Sequence, residues 1–333
     1  MFGVRCQTGE METGREAVEL GETTPRSPSS WSRRKALFVA LGGVGAMLAG
    51  SGLVVELVDR GVLPGKATLD SLDGSCSVQI PMTNFAPLGP TISGHFSSSA
   101  RKRDVGYTIA WPPGFHPGDE LPLVVMLHGD GGTHKTAIKG MTPAQLLAIV
   151  HREHPSRLNT AVPTAMVTVD GGNGYWHPHR DDDPMGMVVN ELIPLCQAKG
   201  LGRPERGLGL MGISMGGYGA IAIAEHCPTL ARAVAAISPA IWTTFDQAKG
   251  VNAGAYTNAQ EFDAYNAVTH ASALDGIPVQ VTSGVDDPFH PGVVAFAKAA
   301  PKTTSVMFSS GCHTDSFFVA HESQALAFLT SNF

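Results

Sequence analysis

The chain has 333 residues, 43% of them hydrophobic and 16% charged, which suffices for a sizeable buried core and excludes disorder throughout. A formal net charge of −6 offers no basic surplus for a phosphate backbone, so nucleic acid is not an expected partner. The first 35 residues, with the polar Pro/Ser-rich stretch Thr23–Ser30, read as a disordered cytoplasmic head. Arg33-Arg34-Lys35 then precedes Ala36–Val55, a run without charge, and about 20 helical residues span the roughly 30 Å of a bilayer interior. Residues 36–58 are therefore expected to be a membrane anchor with everything downstream outside, or, read from Arg33-Arg34, a twin-arginine-like export signal later removed. No clean Ala-x-Ala follows the run, which favours the uncleaved anchor.

Residues 59–100 are expected to be a linker and irregular lead-in, with Thr91–Phe96 a candidate first strand. From 101 to the C-terminus the pattern is orderly. Strands are expected at Val105–Trp111, Leu121–Leu127, Thr164–Val169, Leu208–Met211, Arg232–Ile237, Pro278–Thr282 and Thr304–Phe308. Helices are expected from Thr142-Pro143 to about Arg152, Met185 to about Ala198, Met215–Glu225, His290–Ala300 and Ser316–Leu329. Continuous apolar strands alternating with helices indicate a mostly parallel sheet covered on both faces. Residues from about 241 to 274 break the rhythm and are assigned to a partly helical insertion at the ligand edge.

Of five cysteines, Cys76, Cys196, Cys227 and Cys312 lie beyond the apolar run. Their spacing permits disulfides without selecting a pair, and no C-x-x-C is present, so no structural metal is expected. Asp181-Asp182-Asp183 lacks the oxygen-ligand pattern of a calcium loop and reads as a helix start.

Gly212-Ile213-Ser214-Met215-Gly216 fits G-x-S-x-G between a predicted strand and a predicted helix, where glycine flanks let a strained serine turn form. Ser214 is thus the candidate nucleophile. His128-Gly129-Asp130-Gly131-Gly132 ends an earlier buried strand and is the candidate oxyanion loop, with one donor expected from Met215 N–H and the other from Asp130 or Gly131. An acid is expected after Val279–Thr282, at Asp286 or Asp287. Of thirteen histidines, His313 alone sits in a loop after the last predicted strand, in the order serine, acid, histidine, and is the candidate base. The loop Asp170–Asp183 carries Tyr175, Trp176 and His177, candidates for contacting an acyl chain or a polar substrate group.

Ser-Met-Gly-Gly-Tyr-Gly-Ala at 214–220, Asp-Pro-Phe at 287–289, Gly-Cys-His-Thr at 311–314 and Ser-Pro-Ala at 238–240 resemble the motifs of an esterase branch of the α/β-hydrolase superfamily. That branch includes esterase D-like enzymes and the exported mycolyltransferases of actinobacteria, and the resemblance runs from about Arg103 to the C-terminus. It implies an α/β-hydrolase fold, hydrolysis of small-molecule or lipid esters through an acyl-enzyme, and no cofactor. It also implies Asp287, directly before Pro-Phe, as the acid. Acyl transfer of the mycolyltransferase type is the alternative chemistry, and an inactive cell-envelope binding protein the alternative class. The membrane segment disfavours a cytosolic thioesterase of the S-formylglutathione type.

Overall fold

The computed structural model describes Cys76, residues 87–153 and residues 162–333. The head at 1–35, the apolar segment at 36–58 and most of the lead-in lie outside the described residues. Among the described residues no helix is long and apolar enough to cross a membrane.

Eight strands form one sheet: β1 (Thr91–Ser98), β2 (Arg103–Ala110), β3 (Leu123–Leu127), β4 (Ala165–Val169), β5 (Leu208–Ile213), β6 (Ala233–Ile237), β7 (Val279–Gly284) and β8 (Ser305–Ser309). Their spatial order is β1-β2-β4-β3-β5-β6-β7-β8. β1–β2 and β2–β4 pair antiparallel, and every later pair is parallel. The sheet begins at Thr91, ahead of the boundary expected at 101, because β1 is long enough to pair along all of β2.

The helices are α1 (Pro143–Glu153), α2 (Pro184–Met187), α3 (Ile193–Gln197), α4 (Met215–His226), α5 (Phe245–Val251), α6 (Ala259–Ala264), α7 (Ala267–His270), α8 (His290–Ala299) and α9 (Asp315–Thr330). Thr142 starts α1 with a reciprocal cap: Gln145 N–H donates to Thr142 Oγ1 and Thr142 N–H to Gln145 Oε1. Asp183 caps α2, accepting from Gly186 N–H at 2.6 Å, and Pro184 occupies the first turn. A π turn, Val188–Leu192, joins α2 to α3. Pro194 sits in the first turn of α3, and the wider turn before it absorbs a residue that brings no N–H.

Strand alternation divides the core in two. Leu123, Val125 and Leu127 of β3, Leu208 and Leu210 of β5, and Val234 and Ala236 of β6 join one cluster, which includes α4. Val124, Met126, Met211, Ile213, Ala235 and Ile237 point to the other, filled by α1 and α9. Both faces are dry, so the functional groups collect beyond the carboxyl ends of β3, β5, β7 and β8, where parallel strands open their loops.

Candidate active site

Ser214 links β5 to α4 at φ 55°, ψ −122°, a left-handed turn that an L-residue holds only when its surroundings fix it. They do: Ser214 N–H donates to Ile237 O at 2.9 Å, and Ser214 O accepts from Tyr218 N–H and Ala240 N–H, each at 3.0 Å. A Cβ on Gly212 would collide with the Gly216 backbone, and one on Gly216 with the carbonyls of Leu127 and His128. The two motif glycines are therefore what lets β5, α4 and the end of β3 approach closely enough to hold the serine.

The loop after β8 carries His313, and the turn after β7 carries Asp287. Backbone bonds tie the two loops together, from Val285 N–H to Ser309 O and from Asp286 N–H to Gly311 O. His313 Nε2 lies 2.7 Å from Ser214 Oγ, and Nδ1 lies 2.8 Å from Asp287 Oδ2. Asp287 is buried, and its other oxygen accepts from Phe289 N–H at 2.8 Å. A carboxylate against Nδ1 keeps the ring proton there and leaves the Nε2 lone pair facing the serine hydroxyl. Phe289 and Phe318 pack on the imidazole with centroids 4.9 and 5.1 Å away. A disulfide joins Cys312, the neighbour of His313, to Cys76.

The glycine loop after β3 approaches from the other side, where a Cβ on Gly129 would lie 3.3 Å from Ser214 Cβ. His128 is buried and held from both ring nitrogens. Nε2 accepts from Gly171 N–H at 2.9 Å, and Nδ1 then carries the proton given to Gly129 O at 2.7 Å. Burial also pushes its pKa down, so the neutral ring acts as a strut between the 128–132 and 170–183 loops. Gly131 N–H is engaged by Asn173 Oδ1 at 2.9 Å, so this expected oxyanion donor already has an acceptor. Asp130 lines the cavity beside Ser214, and Met215, first in α4, contributes one of the N–H groups a helix start leaves without an intrahelical partner.

The cavity above Ser214 measures about 560 Å³. Tyr175, Trp242, Phe289 and Phe318 give it aromatic walls, while Asn173, Asn252, Lys139 and Asp315 are polar. Trp242 Nε1–H donates to Tyr175 Oη at 2.8 Å, fixing the two rings together.

The family model described as "Putative esterase" matches residues 98–309. The chain belongs to this esterase family. It is an ester hydrolase with an α/β-hydrolase fold. Among solved structures, a ferulic acid esterase is similar at 18% identity and TM-score 0.60, over 74% of this chain and 100% of its own. An S-formylglutathione hydrolase from Agrobacterium tumefaciens is similar at 18% identity and TM-score 0.58, over 77% and 99%. A fluorophosphonate-binding serine hydrolase from Staphylococcus aureus follows at 14% identity and TM-score 0.54, over 73% and 99%. No curated protein matches the chain by sequence.

Two of the three residues expected to contact substrate are turned away from this esterase's cavity. Tyr175 and Trp176 both adopt positive φ, 55° and 59°, and the tight turn drives the chain inward. Trp176 is fully buried, donates Nε1–H to His128 O at 3.2 Å, and packs on Gly171 and Gly219. His177 is also fully buried, with Nε2 2.7 Å from Ala255 O and its ring stacked on Tyr256 and Tyr265. Only Tyr175 of the three lines the cavity. The sequence reading missed Asn173, Trp242 and Phe318. Asn173 stood beside the aromatic pair in the same loop, but nothing in its spacing marked it as the partner of Gly131. The acidic triplet divides: Asp183 caps α2, Asp182 receives a bidentate pair from buried Arg101 at 2.7 Å, and Asp181 meets Lys102 at the surface.

Proposed function

We propose that this esterase hydrolyses small-molecule carboxylic esters through an acyl-enzyme on Ser214, with His313 as base and then acid and Asp287 orienting the imidazole. The contiguous Ser214–His313–Asp287 array, at 2.7 and 2.8 Å on the cavity wall, carries the reading. His313 takes the Oγ proton as Oγ bonds to the ester carbonyl carbon, and the resulting oxyanion is met by Met215 N–H and Asp130 N–H. Collapse breaks the bond to the alcohol, which leaves with the proton from His313. Water then attacks the acyl carbon as His313 takes one of its protons, and His313 returns that proton to Oγ as the acyl–Oγ bond breaks, releasing the acid and restoring the Ser214 hydroxyl. The volume of the cavity and its four aromatic side chains support a compact ester, and the expected product is free acid, not an acylated acceptor.

Ser214→Ala should lower kcat on short p-nitrophenyl esters by roughly 10⁴- to 10⁶-fold while the protein stays folded, and should abolish covalent labelling by a fluorophosphonate. Retained turnover in that variant would overturn the assignment. The Cys76–Cys312 disulfide also supports a catalytic domain working outside the cytoplasm, as the basic triplet and apolar run led us to expect. Protease accessibility of the domain on intact cells tests that placement, and protection there would refute it.

A further inference from the structure

Behind the aromatic wall, three side chains from two separate segments meet around one point. His177 and His179 come from the 170–183 loop and Glu261 from α6, and their ligand atoms all lie within 4.8 Å of one another. His177 Nε2 is 2.7 Å from Ala255 O, and His179 Nε2 is 2.6 Å from Gly174 O. A carbonyl only accepts, and the shortest carbonyl contact of each ring is made by Nε2, so the neutral rings carry their protons there and present a lone pair at Nδ1.

Both lone pairs face the same carboxylate oxygen. Nδ1 of His179 is 2.9 Å, and Nδ1 of His177 3.6 Å, from Glu261 Oε1. That oxygen is buried and forms no hydrogen bond, whereas Oε2 accepts from Thr257 N–H at 2.9 Å. Pro178 O adds a further acceptor 3.1 Å from His177 Nδ1. With both rings neutral, electron pairs converge on Glu261 Oε1 with no donor between them, an arrangement that a cation completes.

We propose that His177, His179 and Glu261 bind one divalent transition-metal ion of the zinc type. Zinc bonds of about 2.0–2.1 Å at tetrahedral angles separate neighbouring ligand atoms by roughly 3.3 Å, and the distances of 2.9 and 3.6 Å from the two Nδ1 atoms to Glu261 Oε1 bracket that value. Two imidazoles and a carboxylate suit zinc better than calcium or magnesium, which take oxygen ligands. The Nε2–H bonds to backbone carbonyls are the outer contacts that orient metal-binding histidines. The side chains of His179 and Glu261 are 17% and 12% exposed, so the ion has a route in from solvent. Its place is structural. It would pin the loop bearing Asn173 and Tyr175 to the insertion bearing Asn252, three residues of the cavity wall, and no step of ester hydrolysis passes through it.

The test uses the full-length protein stripped with a chelator, dialysed against zinc and desalted, with bound metal measured by mass spectrometry and Tm followed across a zinc titration. The expected result is one zinc retained per chain and a Tm that rises with zinc concentration. His179→Gln and Glu261→Gln should each weaken zinc binding by about tenfold or more and remove the Tm response, while Ser214→Ala keeps both. Fluorophosphonate labelling or near-UV dichroism shows that the variants are folded. Absence of stoichiometric zinc in the wild type overturns the proposal, as does equal retention by both folded variants. If neither variant folds, X-ray absorption on the zinc-loaded wild type decides: two imidazoles and a carboxylate support the site, and any other ligand set overturns it. Because metal content and Tm are read without substrate, the outcome is independent of the catalytic assignment.

Discussion

At the scale of single residues, Asp287 separates the work of two adjacent carboxylates. Its side chain receives Nδ1 of His313 while the backbone N–H of Asp286 ties the acid turn to Gly311, so one residue orients the ring and its neighbour positions the loop. Asp287→Asn replaces a pure acceptor with a group that can donate, and lets the imidazole settle in the tautomer whose Nε2 already holds a proton. We expect kcat to fall by roughly 10⁴-fold with KM little changed, and Asp286→Asn to stay within about tenfold of the parent. Steady-state kinetics of the pair checks this, and a reversed ranking would move the acid to 286. Ser214 was legible because glycine leaves a mark in sequence wherever strand and helix must nearly touch. The choice between Asp286 and Asp287 was not legible from the residues themselves, since both follow β7 and only the direction of each side chain distinguishes them. Trp176 and His177 misled for a related reason: an aromatic pair in a loop is written alike whether it faces a ligand or plugs the floor beneath one.

Among the elements, α9 holds an ionisable side chain where its pattern gives little hint of burial. Glu322 is fully buried, with Oε1 accepting from Lys139 N–H at 2.7 Å and Oε2 without a hydrogen bond. Burial pushes its pKa up to about 8 from an ordinary 4.5. Between those values the folded protein keeps a proton that the unfolded chain has released. The stability this group leaves intact below about 4.5 is therefore lost progressively as pH rises towards 8. Glu322→Gln keeps the acceptor for Lys139 and removes the titration. Urea midpoints measured from about pH 5 to about pH 8 should fall less steeply for the variant than for the parent, and parallel curves would show that Glu322 does not titrate in this window. Strand positions were legible because β3 and β6 are apolar on every residue and β4 on all but Thr168, as expected of strands buried on both faces. The π turn ahead of Pro194 was not, because a helical repeat gives no sign that one turn will widen.

For the molecule as a whole, a long-range contact among the described residues is the Cys76–Cys312 bridge, which spans 236 positions and ends beside His313. Cutting it should free the loop that carries His313 while leaving the eight-stranded sheet in place. Cys76→Ser should lower stability by about 2–4 kcal/mol and also reduce kcat, with fluorophosphonate labelling slowed in parallel. Unchanged labelling in a variant of lowered Tm would confine the bridge to a stabilising role. The pairing itself was beyond sequence reasoning, since several cysteines past the apolar run were compatible with it. The bridge also sets an order of events at birth. The thiol at 76 leaves the ribosome long before its mate is translated, so any oxidant acting on the nascent polypeptide meets it unmatched. Faithful maturation therefore requires either that oxidation wait for the last strand or that an isomerase undo early mistakes.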